Sequence, residues 1–167
     1  MSDIFDKSEL ALAAYADLQY GVATKDQMLK LQDAGMAEKQ AAEFAKRWPE
    51  VVGVINDDGF LLNGTGLSAT VFRNGSEVCI AIRGTEAWFP DLDDLSADFL
   101  LGVGIVPAQY GVLVNFYNEM KTTGKISASD NVTIAGHSLG GFLSQLLMAD
   151  HAGEFDAMYN YNAPGIG

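Results

Sequence analysis

One pentapeptide places a serine where it would act as a nucleophile. The run Gly136-His137-Ser138-Leu139-Gly140 has the G-x-S-x-G spacing and lies between an apolar, β-branched stretch at 131–135 and an apolar helical pattern at 139–151. In that context the motif predicts a sharp strand-to-helix turn that lifts the Ser138 hydroxyl above a sheet. Strand and helix nearly touch there, so these positions must lack side-chain bulk, and Gly136, Gly140 and Gly141 meet that need. His137 completes the turn. The alternative is a turn of small residues with an accidental serine.

A serine that attacks a carbonyl also needs donors for the oxyanion that forms. The N–H of Leu139 follows the nucleophile at a helix N-terminus, where the helix dipole favours negative charge. The second donor is expected from the loop after an earlier strand, and Gly84-Thr85 follows the strand pattern at 77–83. Thr85 would also add its hydroxyl. Taken alone, this segment fits an ordinary polar strand end; its position ahead of the serine motif favours an oxyanion hole.

The elements that must position these residues are an N-terminal helical region at 1–50 and an α/β core at 51–167, which we expect to pack as one domain. Two strand patterns at 67–73 and 77–83 flank Asn74-Gly75, a strong hairpin signal. The strand before Ser138, the helix after it and the run at 155–161 form a βαβ unit. The predicted fold class is therefore α/β, with an α/β-hydrolase-like, mainly parallel sheet.

Composition excludes several classes of function. The formal net charge is −12 and the sequence pI is near 4.3, so nucleic acid and anionic bilayers would be repelled. No stretch reaches the ~20 apolar residues of a membrane span, so no stable membrane insertion is expected.

Cys79 is the single cysteine, and no metal or cofactor is expected. The N-terminus has no signal-peptide pattern, which leaves a cytoplasmic location or export without a cleaved signal.

Four separated motifs resemble the class 3 (fungal-type) lipases and their bacterial relatives. They are Arg83-Gly84-Thr85, Asp94-Leu95, the serine motif at 136–141, and Asn162 to Gly167, and together they span roughly 67–167. The resemblance implies a carboxylic ester hydrolase that acts on lipid or small esters through an acyl-enzyme. It makes Ser138 the nucleophile, Thr85 and Leu139 the oxyanion hole, and 88–106 the position of a lid. A thioesterase or acyltransferase on the same turn is not separated by the sequence.

The chain departs from that family where a triad needs its other members. Chain order should run Ser, then Asp, then His, yet only 29 residues follow Ser138. His137 should point away from the Ser138 hydroxyl in a structural role, and His151 lies about 20 Å along the helix. No triad Asp or His is therefore identifiable in this chain.

Two interpretations follow from that gap. In the first, the chain is the N-terminal two-thirds of a lipase-like catalytic domain, truncated after the strand at 155–161. That strand would be a bare edge seeking a second copy of the chain or the missing C-terminal part. In the second, the chain is a catalytically incomplete fragment or pseudo-enzyme that serves as a binding or assembly module.

Overall fold

The computed structural model describes residues 2–57, 64–84 and 105–165. In chain order these residues form α1 Ser2–Ala13, β1 Gly21–Val22, α2 Lys25–Asp33, α3 Glu38–Arg47, β2 Glu50–Asn56, β3 Ser68–Asn74, β4 Glu77–Ile82, α4 Ile105–Thr122, β5 Asn131–His137, α5 Leu139–Asp150 and β6 Ala157–Tyr161. The six strands make one sheet in the order β1-β2-β3-β4-β5-β6.

The sheet is mixed rather than mainly parallel. Strands β1 to β4 pair antiparallel in sequence, whereas β4, β5 and β6 are parallel neighbours. The predicted hairpin is confirmed, although its two-residue loop is Gly75-Ser76, with Gly75 at φ 60° and Asn74 still paired with Glu77. The predicted βαβ unit is confirmed as β5-α5-β6. The two-residue loop between β3 and β4 allows only an antiparallel pair, whereas α5 provides the crossover that the parallel pair of β5 and β6 needs.

Helices cover both faces of the sheet, as buried parallel strands require. On one face α4 and α5 pack against the large apolar side chains of β4 and β5, including Ile80, Ile82 and Ile134. On the other face the N-terminal helices pack against smaller side chains of the same strands, namely Cys79, Ala81 and Ala135. Helix α1 contacts β4, β5 and β6 directly. Helix α1 therefore packs over the parallel half of the sheet, against its small side chains.

A buried ion pair ties the hairpin to the start of β5. Nη1 and Nη2 of Arg73 donate to the carboxylate of Asp130, at 3.1 and 2.8 Å, and Nη2 also donates to the Lys125 carbonyl at 2.7 Å. The Asp130 side chain is only 7% exposed. Its hydrogen bond from Arg73 lowers its pKa from 3.8 to about 2. This pair fixes the loop that leads into the strand before Ser138.

Replacing Asp130 should therefore destabilise the fold in a pH-dependent way. A carboxylate with a lowered pKa contributes stability above pH 4 and loses it as pH falls towards 2. Asp130→Asn should cost about 2 to 3 kcal/mol at pH 7 and flatten the acid limb of the stability profile. Urea unfolding between pH 2 and 7 measures this. The control is Glu43→Gln, which removes the exposed Glu43–Lys46 pair; equal losses in both variants would contradict the prediction.

Candidate functional site

The residue between β5 and α5 is Ser138, and its backbone is strained. It has φ 54° and ψ −126°, a left-handed conformation that residues with a side chain rarely adopt. Its N–H donates to the Tyr161 carbonyl on β6 at 2.9 Å, and its carbonyl accepts from the N–H groups of Gly141 and Phe142. The turn is thus held from β6 on one side and from α5 on the other. Its side chain is half-buried.

The turn closes only because three neighbouring residues have no side chain. A Cβ on Gly136 would lie 2.5 Å from the backbone of Gly140, and a Cβ on Gly140 would lie 2.3 Å from the Ile82 carbonyl oxygen. A Cβ on Gly141 would lie 2.5 Å from the Ala163 Cβ. Since these are contacts with backbone or with a fixed methyl group, no rotamer change relieves them. The sequence-predicted role of the glycines thus has a matching geometry.

Only one of the two expected oxyanion donors lies among the described residues. The N–H of Leu139 opens α5, where the first N–H groups of a helix have no intrahelical acceptor. Thr85 lies outside the described residues, as do Asp94-Leu95 and most of the expected lid segment. Gly84, the residue before Thr85, is described. A Cβ on Gly84 would lie 3.2 Å from the Ser138 Cβ and 2.7 Å from the His137 carbonyl oxygen. The end of β4 therefore borders the serine.

His137 faces Tyr15, a residue that the sequence analysis did not single out. The Tyr15 hydroxyl lies 3.1 Å from His137 Nδ1, and the two rings meet edge to face at 6.1 Å between centroids. The two residues are 122 positions apart. The sequence signal was weak: a tyrosine within an apolar stripe of alanines, whose ring would pack while its hydroxyl sought a partner.

The other histidine is at the far end of α5. His151 is the C-terminal cap of that helix, and its Nδ1 contacts a Glu154 carboxylate oxygen at 3.3 Å. Hydrogen bonds from Lys121 and Tyr117 lower the pKa of Glu154 to about 2. This carboxylate therefore binds side chains of α4 and the C-terminal end of α5. Asp156 accepts from the Val132 N–H at 2.7 Å, near the start of β5. None of these side chains lies at the turn that holds Ser138.

The described residues also constrain other kinds of site. Within 2–57, 64–84 and 105–165, no group of three or more His, Cys, Asp or Glu side chains is placed to hold a metal ion. In the same part of the chain, no helix has both the length and the apolar character needed to cross a bilayer.

Comparison with solved structures identifies the fold. The chain superposes on the lipase of Rhizopus microsporus var. chinensis with a TM-score of 0.55 and 15% identity, covering 98% of this chain and 57% of that one. It superposes on a fungal lipase–inhibitor complex, described as a model for interfacial activation, with a TM-score of 0.61 and 17% identity, covering 98% and 62%. No family model matches the chain, and no curated protein matches it in sequence.

These similarities, with the mixed sheet and its helices on both faces, establish an α/β-hydrolase-like fold similar to that of fungal lipases. The chain spans about three fifths of the length of the two lipases. At 15% and 17% identity the similarity shows the fold. It does not show membership of class 3 or the role of any single residue.

Adding one methyl group at the tightest contact should open the turn. Gly140→Ala should destabilise the fold by about 3 kcal/mol or more, because the Cβ meets the Ile82 backbone and α5 must move away from the sheet. Urea unfolding measures the loss. The matched control is Gly111→Ala, at a helical position with open space, which should be neutral or stabilising by up to about 1 kcal/mol. A Gly140→Ala variant as stable as the parent would contradict the close contact.

Proposed function

We propose that this chain belongs to a carboxylic ester hydrolase of the lipase or esterase type, in which Ser138 attacks the ester carbonyl and forms an acyl-enzyme. The observation that carries the proposal is the backbone of Ser138, a non-glycine residue at φ 54° between a buried parallel strand and a helix. Such strain persists only where the surrounding structure holds it, and it clusters at functional sites. The fold similarity to fungal lipases agrees with this chemistry.

The oxyanion hole is proposed to combine the N–H groups of Leu139 and Thr85. The Leu139 N–H begins the helix that follows the nucleophile, so the helix dipole adds to the hydrogen bond. Support for the Thr85 side is indirect: Gly84, one residue earlier, borders the Ser138 side chain. Each donor in such a site contributes about 3 to 4 kcal/mol to the stabilisation of the transition state.

The general base is proposed to come from outside these 167 residues. The chain contains two histidines; one is bonded to Tyr15 and the other lies at the far end of α5, about 20 Å from Ser138. Without a base and its orienting acid, the oxyanion hole and substrate binding alone still leave a residual acceleration of roughly 10³ to 10⁴ over water. The activity assigned to the chain itself is therefore slow ester cleavage.

Labelling of Ser138 tests the nucleophile directly. A fluorescent alkyl fluorophosphonate should phosphonylate Ser138 slowly: the serine oxygen displaces fluoride from phosphorus, and solvent water takes the proton that a triad histidine would otherwise accept. Peptide mass spectrometry identifies the modified residue. Ser138→Ala should abolish labelling, whereas Ser129→Ala, which alters an exposed serine elsewhere, should leave it unchanged. A parent protein labelled no faster than Ser138→Ala, even after prolonged incubation with excess reagent, would favour the catalytically incomplete binding module.

Substrate class is tested by turnover. The chain should release p-nitrophenol from a short activated ester at about 10³ to 10⁴ times the uncatalysed rate, and Ser138→Ala should change this rate little, because without a base the acceleration comes from the oxyanion hole and substrate binding. A short acyl thioester run in parallel distinguishes an esterase from a thioesterase. Turnover on long-chain triglyceride at the rate of a complete lipase would contradict the assignment of the base to another part of the protein or to a partner.

The edge strand β6 supports a proposal about partners. In the described part of the chain β6 pairs only with β5, and all five of its side chains are half-buried. An unpaired row of backbone groups favours addition of another strand. We expect concentration-dependent association, through a second copy or a chain carrying the C-terminal part of the fold. Sedimentation velocity at micromolar concentrations measures it; a monomer with a cooperative thermal transition would contradict it.

A further inference from the structure

The N-terminal helical region reaches the serine turn through one side chain. Tyr15 follows α1, outside the part of the chain that carries the sequence motifs, and it is half-buried. Its hydroxyl lies 3.1 Å from His137 Nδ1. The pair forms in either tautomer of the imidazole, because a phenol hydroxyl both donates to a bare ring nitrogen and accepts from a ring N–H.

The same hydroxyl stands beside the serine. The point that a Cβ on Gly84 would occupy lies 2.9 Å from the Tyr15 oxygen, 3.2 Å from the Ser138 Cβ and 2.7 Å from the His137 carbonyl oxygen. Tyr15, the last residue of β5, the serine and the end of β4 therefore meet around one small gap. That gap exists because residue 84 is glycine.

We infer that Tyr15 is a positioning residue for Ser138, and this inference rests on the proposed function. The strained backbone of Ser138 persists only if neighbouring residues hold it in place. The hydrogen bond from its N–H to Tyr161 restrains it from β6. The bond between Tyr15 and His137 restrains the preceding residue from the face of the sheet on which α1 packs.

The hydroxyl is not what docks α1 on the sheet. Leu10, Ala13 and Ala14 are buried against the small side chains of β4 and β5, and they supply the apolar contact. Removing the Tyr15 hydroxyl while keeping the ring should therefore spare the fold and loosen the turn. A displacement of about 1 Å at a reacting atom lowers the rate by about a hundredfold.

The test compares the rate of fluorophosphonate labelling of Ser138 in Tyr15→Phe and in the parent protein. The maximal labelling rate should fall 10- to 100-fold, with the half-saturating concentration of reagent and the thermal midpoint nearly unchanged. The matched control is Tyr20→Phe, which removes the hydroxyl of a tyrosine that is 68% exposed and should have no effect. A merely structural role would lower the thermal midpoint and leave the labelling rate of the folded protein intact.

A second variant removes the same hydrogen bond from the other side. His137→Phe should slow labelling to a similar extent, and the double variant should be no slower than the slower single variant, because both changes delete one interaction. If Tyr15→Phe fails to fold, the labelling rate of His137→Phe tests the positioning role. Parent-like labelling rates in folded Tyr15→Phe or His137→Phe would overturn the positioning role and leave the proposed function standing. A parent protein whose Ser138 is not labelled would overturn both.

Discussion

The close approach of the first turn of α5 to the ends of β4 and β5 is the constraint on which the rest of the site depends. A Cβ on Gly140 would lie 2.3 Å from the Ile82 carbonyl oxygen. Helix and strand can therefore approach this closely only because residue 140 is glycine. Because β5 and α5 are separated by one residue, this approach forces Ser138 into a left-handed backbone conformation. The same geometry leaves the Leu139 N–H at the start of the helix, beside the serine. The positions of the proposed nucleophile and of the proposed oxyanion donor thus follow from one packing contact.

The two faces of the sheet contribute to the site in different ways. Large side chains of β4 and β5 meet α4 and α5, and this part of the core holds the helix that carries the strained turn. On the other face the same strands present Cys79, Ala81 and Ala135, and the small side chains admit α1 close to the sheet. That closeness brings Tyr15 within hydrogen-bonding distance of His137. The alternation of large and small residues along two strands therefore connects the N-terminal region with the serine turn.

Local patterns predicted the parts of this structure that local forces determine. Asn74-Gly75 between two strand patterns indicated the hairpin, and the serine motif between a strand and a helix indicated the turn. Sequence reasoning missed β1, because the two residues Gly21–Val22 are too short for any periodicity. It also overestimated the parallel share of the sheet, since strand pairing depends on which apolar faces meet and not on each strand alone. The Tyr15–His137 contact was out of reach for the same reason, as it arises from the packing of whole elements.

Under the proposed function, the site separates two requirements that serine hydrolases usually meet together. The described residues fix the position of the proposed nucleophile and of one proposed oxyanion donor, whereas His137 Nδ1 faces Tyr15 and His151 lies at the far end of α5. An electrophile with a good leaving group depends less on the second requirement, because its departure needs no proton and solvent can accept the proton that the serine loses. A natural ester depends on both, since the base that activates the serine also returns its proton to the leaving alkoxide. Reactivity of Ser138 towards activated reagents therefore reports the geometry of the turn, and the difference between activated and natural esters reports the missing base.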